Sequence, residues 1–418
     1  MDTYSFAKSQ ELFARAAKVI PCGIPGHFSP ALLVPPTAYP FFAASGTGAH
    51  FTDIDGNDFI DYMCAYGPMV LGYDNKVVHD AAAKQRKLGD TLGAPVPVMV
   101  ELAEKLTSMI AGADWAFFAK NGGDQTDYAT MIARAATGRP LIVAIEGGYH
   151  GVAPWMQGLG HHGVIAGDVA GFVRIPWNDT GAFERVLAEH PGQVAGFIAT
   201  PYHHPSFADS ELPAEGYWQR MRELCDREGV VLIIDDVRCG FRLSLRGSAD
   251  YFGFTPDLAC YCKALANGYP ISALVGTEAL MGDAAKVFYT GSYWYQAVPM
   301  AAGLACLAEL ERLDAPKRMQ DYGKALTDGM KRLADQHGYE LKVSGVTSMP
   351  YLRLTDDPSL MLHQRFCSEC ARRGAYTTSH HNWFMSCAHT QDDLDRTLTI
   401  VEDAFTALEQ SPEGQGGS

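Results

Sequence analysis

A chain of 418 residues, 47% hydrophobic and 19% charged, holds enough apolar material to bury a sizeable core in one large domain with a smaller partner. No run of about 18 uninterrupted apolar residues is present to span a bilayer, which argues against a membrane partner. The formal net charge of −15, with no clustered Lys and Arg, argues against a nucleic-acid partner, whose phosphates need concentrated positive charge.

The first segment, "MDTYSFAKSQELFARAAKVIPCG", reads as a polar, amphipathic helix without the basic-then-apolar order of a secretory signal, so the expected location is cytoplasmic. "PCGIPGHFSPALLVPPTAYPFFAASGTGAH" is too rich in Pro and Gly for regular structure over any length and reads as a loop wrapped on another surface. "HFTDIDGNDFIDYM" alternates around an Asp-Gly turn and predicts a β-hairpin.

From about residue 97 helical stretches alternate with short apolar runs: "WAFFAKN", "PLIVAIEG", "GFVRIP", "VAGFIAT", "VVLIIDDV", "LACYCK" and "SALVGT". Runs of this length and apolarity predict strands of a largely parallel sheet covered by helices on both faces, an α/β domain. After about residue 311 a long helical pattern, strand-like "LKVSGV" and "YLRL", another helix and the tail "SPEGQGGS" describe a smaller α+β domain. The expected organisation is an N-terminal helix, loop and hairpin (1–65) packing with the small domain, a large domain (66–310), and the small domain (311–418). The ten cysteines are scattered, and "CSEC" at 367–370 is a lone CxxC on a helical pattern, read as structural with the thiols reduced.

Four signals carry chemistry. Asp235 follows the buried run "VLII" at its carboxyl end, where parallel sheets place ligands. Taken alone it could equally cap the next turn or pair with Arg238 or Arg242. Lys263 ends the following strand, so in one sheet both residues emerge on the same edge. A desolvated lysine has a neutral amine able to form a Schiff base, and an aspartate there needs a cation. "FFAKNGGDQTDYATMIARAATGR" runs from a strand through Gly122 and Gly123 into a helix, where backbone amides suit a phosphate. In "EGGYHG", Tyr149 and His150 follow another strand, and a flat aromatic there suits a ring. Pyridoxal 5'-phosphate (PLP) meets all of these demands at once: an aldehyde for the lysine, a ring nitrogen for the carboxylate, and a phosphate for the glycines.

With "DIDGNDFIDYMCAYGPMVLGY", "NGGD", "ARAATGR", "GGYHG", "DDVRCGFR", "CKALANGYPISALVG" and "AVPMAAG" in this order, the chain resembles, over nearly its full length, the class III aminotransferases, which are PLP enzymes of fold type I. The likeness is greatest to the glutamate-1-semialdehyde aminomutase branch. The resemblance implies a homodimer with shared active sites. It also implies that Lys263 bonds the cofactor and shuttles a proton, Asp235 holds the ring nitrogen, Val237 and Tyr149 flank the ring with His150 beside them, and Gly122 and Gly123 bind phosphate. The loop "FYTGSYWYQAVPM" offers Thr290 and Ser292 as alternatives for the neighbouring chain's phosphate.

Departures from the family cluster around the substrate. Gly123 stands where the family has a hydroxyl residue, and Thr200-Pro201 replaces a Glu-Pro. "GHFSP" offers His27 and Ser29 where the aminomutases carry an arginine for the substrate carboxylate, and His381 replaces an acidic residue. The expected substrate is a bulky or long-chain primary amine without a required α-carboxylate, lined by His27, Tyr66, Tyr293, Trp294, Tyr295 and His381. The motifs are similar to those of transaminases that deaminate hydrolysed fumonisin, a sphingoid-like amino polyol. The expected reaction moves the amino group to a keto acid such as pyruvate. An aminomutase or epimerase, or an inactive binding protein on the same fold, are the alternatives. "GLGHHG" has dinucleotide-loop spacing without a preceding strand, and the His-His pairs lack a carboxylate cluster, so neither a dinucleotide nor a metal is expected.

Overall fold

The computed structural model describes residues 3–24, 38–355, 357 and 359–410. The chain divides into two compact units. The first comprises Met1–Asn75, Ser206–Ser210 and Lys317–Ser418, the second Lys76–Pro205 and Glu211–Pro316.

In the first unit the helix Ala7–Ala16 starts on a carboxylate, because the amides of Lys8 and Ser9 donate to Asp55 at 2.8 and 2.9 Å. Strands β1 (Ala43–Thr47), β2 (His50–Asp53) and β3 (Asp58–Asp61) form an antiparallel meander. The β2–β3 turn is the Asp-Gly hairpin the sequence predicts: Gly56 takes φ 94°, and the Asp53 carboxylate accepts from the Asp55 and Asn57 amides. β1 corrects the reading of residues 21–50 as loop throughout. "AASGT" has little β-propensity, and its strand state comes from backbone pairing to β2, which periodicity in a short small-residue stretch does not report. Residues 25–37 of that segment, including His27 and Ser29, lie outside the described residues.

The second unit contains, among the described residues, a seven-stranded sheet in the order β4-β10-β9-β8-β7-β5-β6. Its strands are β4 (Trp115–Ala119), β5 (Leu141–Ile145), β6 (Phe172–Ile175), β7 (Val194–Ala199), β8 (Val231–Asp235), β9 (Leu258–Tyr261) and β10 (Ser272–Gly276). Each coincides with one of the seven apolar runs. They read as continuous runs because alternate residues enter two different cores. Ile142, Ala144, Ile198 and Ile233 join the helix Gly122–Thr137 on one face. Val143, Ile145, Phe197, Ala199, Leu232 and Ile234 meet Trp218, Met221 and Leu224 of the helix Tyr217–Glu228 on the other.

β5 to β9 run parallel, while β10 is antiparallel to both β9 and β4. β4 therefore points the same way as β9, and the carboxyl ends of β4, β7, β8 and β9 share one edge. No helix among the described residues is long and apolar enough to cross a membrane.

The remaining strands return to the first unit. β11 (Leu341–Val346) and β12 (Met349–Leu354) form a hairpin, and β13 (Ala375–Tyr376) adds parallel to β3. Phe6, Phe51 and Phe59 pack there with Tyr4, Tyr73 and Tyr376. The last helix, Gln391–Glu409, opens on a reciprocal cap between Thr390 and Asp393. Cys367 and Cys370 are buried free thiols on the helix Met361–Ala371.

Candidate active site

Asp235 closes β8 at 4% exposure. A buried carboxylate is tolerated only with its oxygens engaged, and both are. His150 Nδ1 lies 2.8 Å from Oδ2, and the Val237 amide donates to Oδ1 at 3.1 Å. His150 is fixed in turn, its carbonyl accepting the Thr126 hydroxyl at 2.6 Å while its ring lies nearly parallel to Trp155. Its Nε2 is buried without a partner. The second acid of the pair, Asp236, serves the fold: it accepts from the Ser248 amide and hydroxyl, and burial pushes its carboxyl up to about 6.

Lys263 follows β9 at the same edge, in a left-handed backbone with φ 38°. Asp235 pairs in register with Cys260, which puts Lys263 just past the neighbouring strand end. Burial first, and then the Arg238 guanidinium, pull the Lys263 ammonium down to about 7, so near neutrality a substantial fraction of the amine is available as a base or nucleophile. A non-glycine residue held at positive φ stores strain of the kind found where a side chain must be aimed.

The helix Gly122–Thr137 leaves β4 from this edge. The Asp124 carboxylate takes the amides of Lys120 and Asn121, at 3.1 and 2.7 Å, which fixes the turn before the glycines. A Cβ on Gly122 would lie 2.7 Å from a Val237 methyl, and one on Gly151 would lie 2.7 Å from the Gly123 Cα. Val237 thus leaves no room for a side chain at Gly122, and the Gly123 backbone leaves none at Gly151. The Thr126 hydroxyl bridges the Gly123 and His150 carbonyls, joining the glycine turn to the histidine.

Thus Gly122, Gly123, His150, Asp235, Val237 and Lys263 come from four strand ends on one edge of one unit. Tyr149, in the same unit, is 58% exposed. Thr290, Ser292, Tyr293 and Tyr295 are exposed, with the Thr290 hydroxyl 3.4 Å from that of Tyr295. Trp294 packs edge-on to Phe117 and against Tyr289. Tyr66 and His381 belong to the other unit, where their rings meet edge to face at 5.1 Å. His27 lies outside the described residues. Sequence reasoning missed the Asp235–His150 pair, the Thr126 bridge and the tie between Arg238 and the loop after β7. In that loop the His204 carbonyl accepts from Arg238 Nη1 at 3.2 Å. Only the HG of "YHG", a histidine beside a glycine after a strand, hinted at the first of these.

An acid and a lysine at adjacent parallel strand ends, with a glycine-opened helix beside them, define an enzyme site for a small molecule bearing a carbonyl and an anionic group. Residues 34–405 match the family model "Aminotransferase class-III", and the chain belongs to that family. It is 40% identical to an aminopentol aminotransferase of Sphingopyxis macrogoltabida, over 96% of this chain and 94% of that protein. It is 30% identical to a 3-aminobutyryl-CoA aminotransferase of Cloacimonas acidaminovorans, over 97% and 98%. Among solved structures it superposes on the FumI protein of Sphingopyxis sp., in its PLP internal aldimine form, with TM-score 0.94 at 40% identity, covering 96% of each chain. A transaminase with PLP bound superposes with TM-score 0.88 at 26% identity, over 97% and 98%.

Proposed function

We propose that this chain is a PLP-dependent aminotransferase. It takes the amino group of a bulky or long-chain primary amine of the amino-polyol class and passes it to a keto acid such as pyruvate. The observation that carries the reading is the pair of strand ends: Asp235, locked by His150, beside Lys263, whose ammonium is pulled down to about 7 by burial, so that a substantial fraction of the amine is neutral near pH 7. The kinship to an aminopentol aminotransferase supports the substrate class.

The residues fit the cofactor. The edge provides a buried, fully engaged carboxylate for a basic ring nitrogen, a desolvated amine for an aldehyde, and a helix start at Gly122 and Gly123 for a phosphate. When bound, PLP supplies an aldehyde that takes up amino groups and a ring that withdraws electrons from the carbon bearing them.

Asp235 would hold the ring nitrogen and keep it protonated, and His150 keeps the carboxylate from turning away. Val237 and Tyr149 would hold the ring, and Thr290 or Ser292 would hold the phosphate of a neighbouring copy in a homodimer. Lys263 Nζ removes the proton from the amine-bearing carbon and returns it on the other side of the exchange. Over the full cycle the donor's amine-bearing carbon becomes a carbonyl and the carbonyl of pyruvate becomes the amine of alanine, so no external oxidant is needed.

The test is to incubate the cofactor-loaded chain with a long-chain amino polyol and pyruvate. Alanine forms in step with amine loss, and Lys263→Ala forms none. Absence of alanine across a broad amine panel, or turnover of the amine with no keto acid present, overturns the reading. Size-exclusion chromatography with light scattering tests the dimer.

A further inference from the structure

Three consecutive parallel strands, β7, β8 and β9, end side by side, and the segments leaving them hold a group of polar side chains that the reaction above does not use. After β7 comes "TPYHHP". The Thr200 hydroxyl donates to the Tyr202 carbonyl, and the His204 ring sits edge-on to Tyr202 at 5.1 Å. His204 Nε2 and the Tyr202 hydroxyl are both buried without a hydrogen-bond partner. Burial, reinforced by the neighbouring Arg238 cation, holds His204 uncharged.

Two guanidinium groups, Arg238 and Arg242, act on the charge of Lys263. Arg242 is completely buried. Arg238 and Lys263 both retain partial exposure. Arg238 is anchored across the strand ends, Nη1 donating to the His204 carbonyl at 3.2 Å. The acid of this edge, Asp235, is committed to His150 and the Val237 amide.

A keto acid carries its carboxylate one bond from the carbonyl carbon, so whatever grips that carboxylate must stand close to Lys263. A planar guanidinium is the side chain best matched to a carboxylate. We propose that Arg238 is the carboxylate-recognition residue of this site, orienting the keto-acid acceptor with its carbonyl carbon toward Lys263. This rests on the aminotransferase reading given above. It accounts for how an enzyme whose amine donor has no α-carboxylate accepts a partner that has one.

The experiment uses the cofactor-loaded full chain with Arg238→Met and Arg238→Lys. Two acceptors are compared: pyruvate, and acetaldehyde, which is pyruvate without its carboxylate. Arg238→Met lowers the ratio of kcat/KM for pyruvate to that for acetaldehyde about 10-fold or more, and Arg238→Lys, keeping the charge without the fork, recovers part of it. In parallel, calorimetry with propionate, a carboxylate that cannot react, reads binding about 10-fold weaker in Arg238→Met. An unchanged ratio, or propionate affinity equal in wild type and Arg238→Met, overturns the proposal. If the wild type transfers no amino group to either acceptor, the aminotransferase reading fails instead, and the propionate titration still decides the role of Arg238.

Discussion

His150 Nδ1 meets the Asp235 carboxylate at 2.8 Å although the two residues are 85 positions apart, and both side chains are almost wholly buried. The contact turns an acid at a strand end into an oriented one. Replacing His150 by Ala leaves a buried carboxylate oxygen without its donor, a loss of about 1.5–3 kcal/mol for a hydrogen bond to a charged group. PLP affinity, measured by spectrophotometric titration, is expected to weaken by roughly 10- to 100-fold. Unaltered affinity in His150→Ala would show that the pair does not support the cofactor.

Lys263 makes the stability of the cofactor-free chain depend on pH. Its folded pKa, about 7, lies below the roughly 10.4 of an unfolded lysine. Between these values the unfolded chain binds the extra proton, so stability rises as pH increases from about 7 toward 10. Below about 7 the residue is protonated in both states and its contribution is constant. Thermal unfolding of Lys263→Met across this range is expected to rise less steeply than that of the wild type, and parallel curves would contradict the shift.

Gly122 and Val237 form a steric couple. Adding a methyl at Gly122 places it 2.7 Å from a Val237 methyl, an overpacking cost of about 1–3 kcal/mol. Gly122→Ala is expected to lower the denaturation midpoint, and Gly122→Ala combined with Val237→Ala to recover most of the loss. A double variant no better than the single would place the strain elsewhere.

The turn Cys64–Tyr66 carries three successive non-glycine residues at positive φ, of 45°, 53° and 63°. Ala65 is exposed, so its substitution changes backbone preference with little loss of packing. Ala65→Gly is expected to stabilise the chain by about 0.5 kcal/mol and Ala65→Val to destabilise it by about 1 kcal/mol or more, read from urea unfolding. Destabilisation by glycine would mean that the turn is not strained at Ala65.

The seven strands of the large sheet were legible because each is a short apolar run ending in Gly, Pro, Asn, Asp or a helix start. The Asp-Gly hairpin was legible from its turn chemistry. Strand β1 was not, since "AASGT" becomes a strand only through its partner. The exposed residues Tyr293 and Tyr295, grouped in the sequence by aromatic character, differ in setting from Trp294, which is spent on Phe117 and Tyr289. Composition shows that a segment is aromatic and leaves open which face of it is covered.

By itself the sequence determined the positions of Asp235 and Lys263 at strand ends and of Gly122 and Gly123 at a helix start, because strand period, turn residues and glycine content are local properties of the chain. Only the tertiary structure decided that His150 locks Asp235, that Thr126 joins the glycine turn to it, and that Arg238 is tied to the loop after β7. Those contacts join distant segments. Their strength, and the lowered pKa of Lys263, come from burial, which exists only once the sheet has closed its two cores.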